Sequence, residues 1–241
     1  MSLFKKDKCT GKKSNAAGKV ESMLKDRIQE LYPLLTPHMD EIFLSTTKRP
    51  KGQRPQLECI KVDVGTTGAA GEEKQLPKHN FYVMHDPLTR ESFPLFYEVP
   101  EPRHERTLQR TKVNNKDVWA KDLVVPHLAL VHRFPACFHR VRCDRGAIRF
   151  VLSGAPMMAP GLTSKGGRLP GEENEGEDAK YGVEELKQGD VVVVEAEGKE
   201  HACLVGVLSR STGDIKKTGK DAALDNTYHY LGDGLWKLDY N

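Results

Sequence analysis

The sequence predicts an α+β protein, a mixed α/β N-terminal domain followed by a small β-barrel or sandwich, and three observations carry that prediction. Val20, Met23, Leu24, Ile28 and Leu31 recur at the spacing of one helix face. Ile60, Val62 and Val64 alternate with Lys61 and Asp63, as in a strand with one buried side. From Cys143 onward the apolar runs become short and β-branched, with glycine between them, which is the pattern of a small all-β unit.

Taken in order, residues 1–18 are rich in Lys, Gly, Ser and Asn and read as a flexible basic tail. The helix that follows is stopped by Pro33, and Thr36-Pro37 is a helix-start pair, a hydroxyl N-cap before a proline at the first helical position. Met39, Ile42 and Phe43 supply the apolar side of that short second helix. Strands are expected at 57–64, 81–85 and 92–99, and residues 65–78 read as an inserted loop. Pro126 opens a short helix over 127–132, which Pro135 ends. Further strands are expected at 147–152, 190–197, 202–209, 227–231 and 235–240, and a helix at 212–218 with Ser211 as N-cap. The expected domains are 19–140 and 141–241, with the acidic stretch 171–180 a surface excursion of the second.

Charge distribution says more than the net charge of +3. Residues 1–19 carry six lysines against one aspartate, and 47–54 add four cations and no acid. Residues 100–145 hold ten Lys/Arg against five Asp/Glu, whereas 171–185 hold seven acids and only Lys180. Separate cationic segments with Pro and Gly suit a phosphate backbone, so nucleic acid is the leading partner class. No apolar run is long enough to span a membrane, and none follows the basic N-terminus as in a secretory signal. Five cysteines without framework spacing suggest reduced thiols, hence a cytoplasmic or nuclear setting.

Residue patterns for catalysis are thin. Gly161 and Gly166 have the glycine spacing of a phosphate-binding loop, but Gly167-Arg168 stand where Lys-Ser/Thr should follow. Cys137, His139 and Cys143, with His132 nearby, lack the paired C-x2-C spacing of a structural zinc site. Val151 and Ala155 stand where a nucleophile elbow around Ser153 needs glycine. No catalytic residue, metal ligand or cofactor site is assigned. The informative stretch is Gly154-Ala155-Pro156-Met157-Met158-Ala159-Pro160-Gly161-Leu162, a backbone-rich loop with an apolar platform suited to a base or to a neighbouring chain.

The block Gly146-Ala147-Ile148-Arg149-Phe150-Val151-Leu152-Ser153-Gly154-Ala155, continuing through Met157-Met158-Ala159-Pro160-Gly161-Leu162-Thr163-Ser164, resembles the signature of a PUA domain, an RNA-binding pseudo-β-barrel. With Ala196-Glu197-Gly198-Lys199-Glu200-His201-Ala202, Val205-Gly206-Val207 and the ending His229-Tyr230-Leu231-Gly232-Asp233-Gly234-Leu235-Trp236, it is similar to the malignant T-cell-amplified sequence family, also called translation machinery-associated protein 20. The resemblance is dense over about 140–241 and looser before it. It implies a non-catalytic cytoplasmic translation factor without a cofactor. Such a factor pairs with density-regulated protein, which carries a SUI1 domain, and together the two resemble ligatin. The pair binds the small ribosomal subunit and promotes release of deacylated tRNA in post-termination recycling and re-initiation.

By position, the resemblance makes Gly154, Ala155, Met157, Met158, Pro160, Gly161 and Leu162 contacts for the tRNA 3′ acceptor end, with Lys165 and Arg168 for phosphates. Lys48, Arg49, Lys51 and Arg54 are the candidates for ribosomal RNA of the small subunit. The insertions near 65–78 and 171–180 depart from the compact family pattern. Since an acidic loop repels RNA, the second is expected to point away from the RNA loop, toward a protein partner, or to be disordered. Two other readings remain: an accessory PUA protein of an RNA-modification machine, and a protein-interaction module with incidental RNA binding.

Overall fold

A computed structural model of the protein describes residue 4 and residues 10–45, 48–50, 52–63, 79–99, 111–113, 116–118, 123–225 and 228–240. The expected loop 65–78 lies wholly outside them. The N-terminal half is a five-stranded antiparallel sheet formed by β1 (Thr10–Asn15), β2 (Gln56–Asp63), β3 (His79–Asp86), β4 (Glu91–Val99) and β7 (Leu123–Pro126), side by side in that order. A two-stranded ribbon, β5 (Thr111–Val113) and β6 (Lys116–Val118), lies between β4 and β7 in sequence. Pro94 removes a ladder donor inside β4, and the β3–β4 register shifts there, between Tyr82 and Val83.

Helix α1 (Gly18–Leu31) buries Leu24 and Ile28 on this sheet, as its spacing predicts. Tyr32 follows it and donates a buried hydrogen bond from its hydroxyl to the Val124 carbonyl at 2.6 Å. Two expectations need correction here. Thr36-Pro37 does not start a helix: both lie inside a 3₁₀ turn, Pro33–His38, that begins with Pro33, and α2 (Met39–Ile42) follows it. Met39, Ile42 and Phe43 are nonetheless buried. The segment 1–18 is not wholly a tail, because β1 pairs along β2 from Thr10↔Asp63 to Asn15↔Glu58. Lys13 is held there by Glu58 at 2.8 Å, an ion pair that composition alone does not disclose.

The C-terminal sheet is formed by β8 (Arg140–Cys143), β9 (Val191–Ala196), β10 (Ala202–Val207) and β11 (His229–Tyr230), again side by side in that order. Every residue of β9 and β10 is buried. The alternation of the strand explains why. Val192, Val194, Ala196 and Leu204 face the C-terminal core, while Val191, Val193, Val205 and Val207 join the core of the N-terminal half. A sheet covered on both sides reads as a continuous apolar run, which Val191-Val192-Val193-Val194 is. Helix α3 (Leu128–Arg133), which the Pro126 signal anticipates, packs against β10 and ties the halves further.

The chain end seals the seam. Asp233 is fully buried and accepts from His229 Nδ1 at 2.8 Å, Tyr230 N at 3.0 Å and Trp236 N at 2.8 Å, so residues 235–240 form turns rather than the expected strand. Trp236 stacks on His127 with ring centroids 5.7 Å apart. His127 caps α3 by accepting from Ala129 N through Nδ1 at 3.1 Å. Its Nε2 therefore carries the proton and donates to Tyr240 Oη at 3.2 Å, and that hydroxyl donates to Leu235 O at 2.8 Å.

Both ring nitrogens of a neutral His127 are thus satisfied, and a second proton would abolish the cap. Burial first, and the nearby His229 second, push His127 well below its usual 6.5, and burial lowers His132 in the same direction. The unfolded chain therefore binds more protons than the folded one below about 6.5, and stability falls as pH drops through that window. Thermal unfolding is expected at a lower temperature at pH 5.5 than at pH 7.5, with a shallower dependence in His127→Gln; a flat profile in the unmodified protein contradicts this assignment.

Candidate nucleic-acid interface

Because β8 runs parallel to β9, the chain must cross over between them, and residues 144–190 do so. The crossover builds the site. Asp144 opens it, accepting from Ala147 N at 2.8 Å and from Ser164 Oγ at 2.6 Å. The Ser164 hydrogen bond, against an opposing effect of partial burial, holds the Asp144 carboxyl below its usual range. Residues 147–152, expected as a strand, follow this turn as the helical turn α4 (Ile148–Val151), with Ala147 at its N-cap position. Val151 then faces inward while Arg149 and Phe150 point out. Phe150 is 51% exposed, with the Arg149 guanidinium 4.6 Å from its ring centre.

The chain reverses at Gly154, whose φ of +80° is one that only glycine adopts readily. A Cβ there would lie 2.8 Å from Tyr230 Oη, and its carbonyl accepts from the Tyr228 hydroxyl at 2.7 Å. Helix α5 (Ala159–Thr163) follows, and its Gly161 allows close approach, since a Cβ would come within 3.0 Å of Ala147 Cβ. Between α4 and α5 opens a groove of about 570 Å³ lined by Phe150, Ala155, Pro156, Met158 and Pro160, with Arg149 at its edge and Asp144 and Ser164 also on its wall.

The sequence candidates divide by position. Ala155, Met158 and Pro160 reach the groove surface, and Met158 is 43% exposed. Met157 and Gly161 line it from buried positions, whereas Gly154 and Leu162 are buried and shape the backbone. Lys165 and Arg168 line an adjoining trough of about 560 Å³ with Lys216 from α6 (Thr212–Thr218), and Ser164 borders both hollows. Phe150 and Arg149 escaped the sequence reading because a strand was expected there. Asp144-Arg145-Gly146, a turn-type run just ahead of them, was the available signal that the chain bends there.

The acidic stretch is neither disordered nor turned away. Asp178, in a 3₁₀ turn over Gly176–Tyr181, holds Arg142 at 2.7 Å and Arg168 at 2.6 Å. Burial alone would raise the Asp178 carboxyl, but Arg168 and Arg142 outweigh it and keep it below its usual range. Glu173 pairs with Lys216 at 2.8 Å. The repulsion argument fails because these acids find cations of their own domain before any RNA arrives. At the other cationic loop, Lys48 is exposed, Arg54 donates to the Arg49 carbonyl at 2.8 Å, and Arg49 is bound to Asp86 at 2.6 Å. Lys51 lies outside the described residues. Among the described residues no group of three side chains is placed to hold a metal ion.

This arrangement is the fold of PUA-domain proteins. A PUA domain structure from Aeropyrum pernix K1 matches with a TM-score of 0.50 over 95% of this chain and 90% of that one, at 18% identity. A hypothetical protein from Pyrococcus horikoshii OT3 matches with the same TM-score over 94% of this chain and 98% of its own, at 16% identity. No protein-family model matches the chain. Translation machinery-associated protein 20 of Schizosaccharomyces pombe is 44% identical over 114 residues, 47% of this chain and 55% of that protein. The protein of that name from Saccharomyces cerevisiae is 44% identical over 48% of this chain and 58% of its own, and human malignant T-cell-amplified sequence 2 is 42% identical over 47% and 54%. The chain is a homologue of these proteins and spans about half the length of the curated relatives it matches.

The geometry separates residues that shape the groove from those that offer contact. Gly154→Ala is expected to cost about 1–3 kcal/mol of stability through its positive φ and the Tyr230 contact. Phe150→Ala, at an exposed position, is expected to leave the melting temperature nearly unchanged. Denaturant unfolding of both variants checks this, and equal losses would contradict it.

Proposed function

We propose that this protein is a non-catalytic, cytoplasmic translation factor that acts on the small ribosomal subunit together with density-regulated protein. Its domain 141–241 holds the acceptor end of a deacylated tRNA, and its domain 19–140 contacts ribosomal RNA and the partner. The observation that carries this reading is the groove between α4 and α5. An exposed aromatic ring with an arginine over it, an exposed methionine and proline-fixed backbone make a surface on which unpaired bases stack. Lys165 is exposed beside it for phosphate. Homology to proteins named for the translation machinery supports the setting.

The factor works by position. Binding spread over rRNA and the acceptor end shifts the subunit toward release of its tRNA, since only differential affinity for two states moves an equilibrium. Lys48, Arg49, Lys51 and Arg54 form the rRNA face of this proposal. Arg49 would have to exchange Asp86 for a phosphate, which makes Lys48 and Arg54 the freer cations of the three described.

Co-sedimentation of the purified full chain with small ribosomal subunits, with and without density-regulated protein across a salt series, tests the reading. Co-migration that weakens steeply with salt is expected, with a shallower salt slope for Lys48/Arg49/Lys51/Arg54→Ala. Absence of co-migration at every salt concentration would overturn it.

A further inference from the structure

The trough beside the apolar groove is cationic by composition, and two carboxylates answer part of that charge. Lys165, Arg168 and Lys216 line it, and Arg142 stands behind Arg168 on the same carboxylate. Two acids of residues 171–181 engage Arg142, Arg168 and Lys216 at hydrogen-bonding distance. Asp178 Oδ2 lies 2.6 Å from Arg168 Nε, and Glu173 Oε1 lies 2.8 Å from Lys216 Nζ. The carrier segment is itself built into the fold. Asn174, buried, donates to the carbonyls of Leu169 and Gly182, and Tyr181, also buried, donates to Glu195. The scaffold is therefore fixed; of its two carboxylates, Glu173 lies on the trough wall, whereas Asp178 sits behind Arg168, 21% exposed and shared with Arg142. Glu173 is 64% exposed, and Arg168 and Lys216 each keep about a third of their side-chain surface open to solvent.

We propose that the trough is a second RNA subsite, for the phosphodiester of a strand leaving the apolar groove, and that Asp178 and Glu173 are built-in phosphate stand-ins that occupy it in the free protein. The inference rests on the RNA-binding reading of the groove and extends it. Ser164 borders both hollows, so a strand whose terminal bases lie on Phe150 and Met158 passes directly onto Lys165, Arg168 and Lys216. A phosphate carries the same oxyanion chemistry as the carboxylates it replaces and meets the same donors. The acids thus set a threshold: weak, adventitious strands do not displace them, and a strand already anchored in the groove does. Exchange at Glu173 needs side-chain rotation only, because Asn174 and Tyr181 keep the segment in place, and Asp178 gives up Arg168 while it keeps Arg142.

The test is equilibrium binding of a fluorescein-labelled single-stranded RNA dodecamer to the full chain across a salt series. Glu173→Gln/Asp178→Asn is compared with Glu91→Gln/Glu200→Gln, which removes two exposed acids elsewhere for the same change in net charge. The first pair is expected to tighten binding about tenfold over the control pair at low salt, and to steepen the log–log salt slope by about 0.7 for each further phosphate that the freed cations neutralise. Equal affinities and slopes for the two pairs would overturn the proposal. Should loss of Asp178 impair folding, Glu173→Gln alone carries the comparison against Glu200→Gln. Phe150→Ala separates the two claims: if the unmodified protein binds RNA and loses affinity on that change, a null result for the acid pair removes only the stand-ins. If the unmodified protein does not bind RNA, both fall.

Discussion

The parallel pairing of β8 with β9 is the constraint on which the rest depends. Two strands that run the same way cannot be joined by a hairpin, and the chain must travel back along the sheet before it re-enters. Residues 144–190 are that return path, and every element of the candidate interface lies on it or packs against it. Asp144 fixes the turn that leads into α4, accepting from Ala147 N, and Gly154 reverses the chain without colliding with Tyr230. The groove is therefore a by-product of topology, furnished with side chains by residues that the helical turn pushes outward.

A second consequence follows from burying β9 and β10 on both faces. One sheet serves two cores, so the halves of the chain are not beads on a linker but share the valines of the central strands. The aromatic seam of His127, His229 and Trp236 closes the same junction, with Asp233 collecting three donors at its centre. On the function proposed above, the two contact surfaces must be held at a fixed separation. A shared sheet supplies that rigidity, and the junction it forms buries His127, whose lowered titration makes the fold less stable as the pH drops.

Much of this was legible in the residues. Period and capping placed α1, β2, β3, β4 and α6, and Ser211 does accept from Asp214 N as an N-cap should. β8 escaped notice because Arg140 and Arg142 make its sequence look like a charged loop. Their charges are answered by Glu195 and Asp178, partners far along the chain. The same blindness to long-range pairing misplaced the acidic segment, read as repelled when it is in fact bound. The short apolar run at 147–152 suggested a strand, and the chain turns there instead, after a bend in which Asp144 accepts from Ala147 N and Ser164 Oγ. Local pattern fixes elements well where packing agrees with it. It fails where one distant charge or one turn outweighs propensity.

The central claim is that an unpaired RNA end lies in the groove between α4 and α5. Photo-crosslinking of a deacylated tRNA carrying 4-thiouridine near its 3′ end, followed by mapping of the modified peptides, tests it most directly. Crosslinks concentrated on residues 145–168 are expected, and their loss when Phe150 and Met158 are both replaced by alanine. Crosslinks confined to the N-terminal sheet, or unchanged by those replacements, would contradict it.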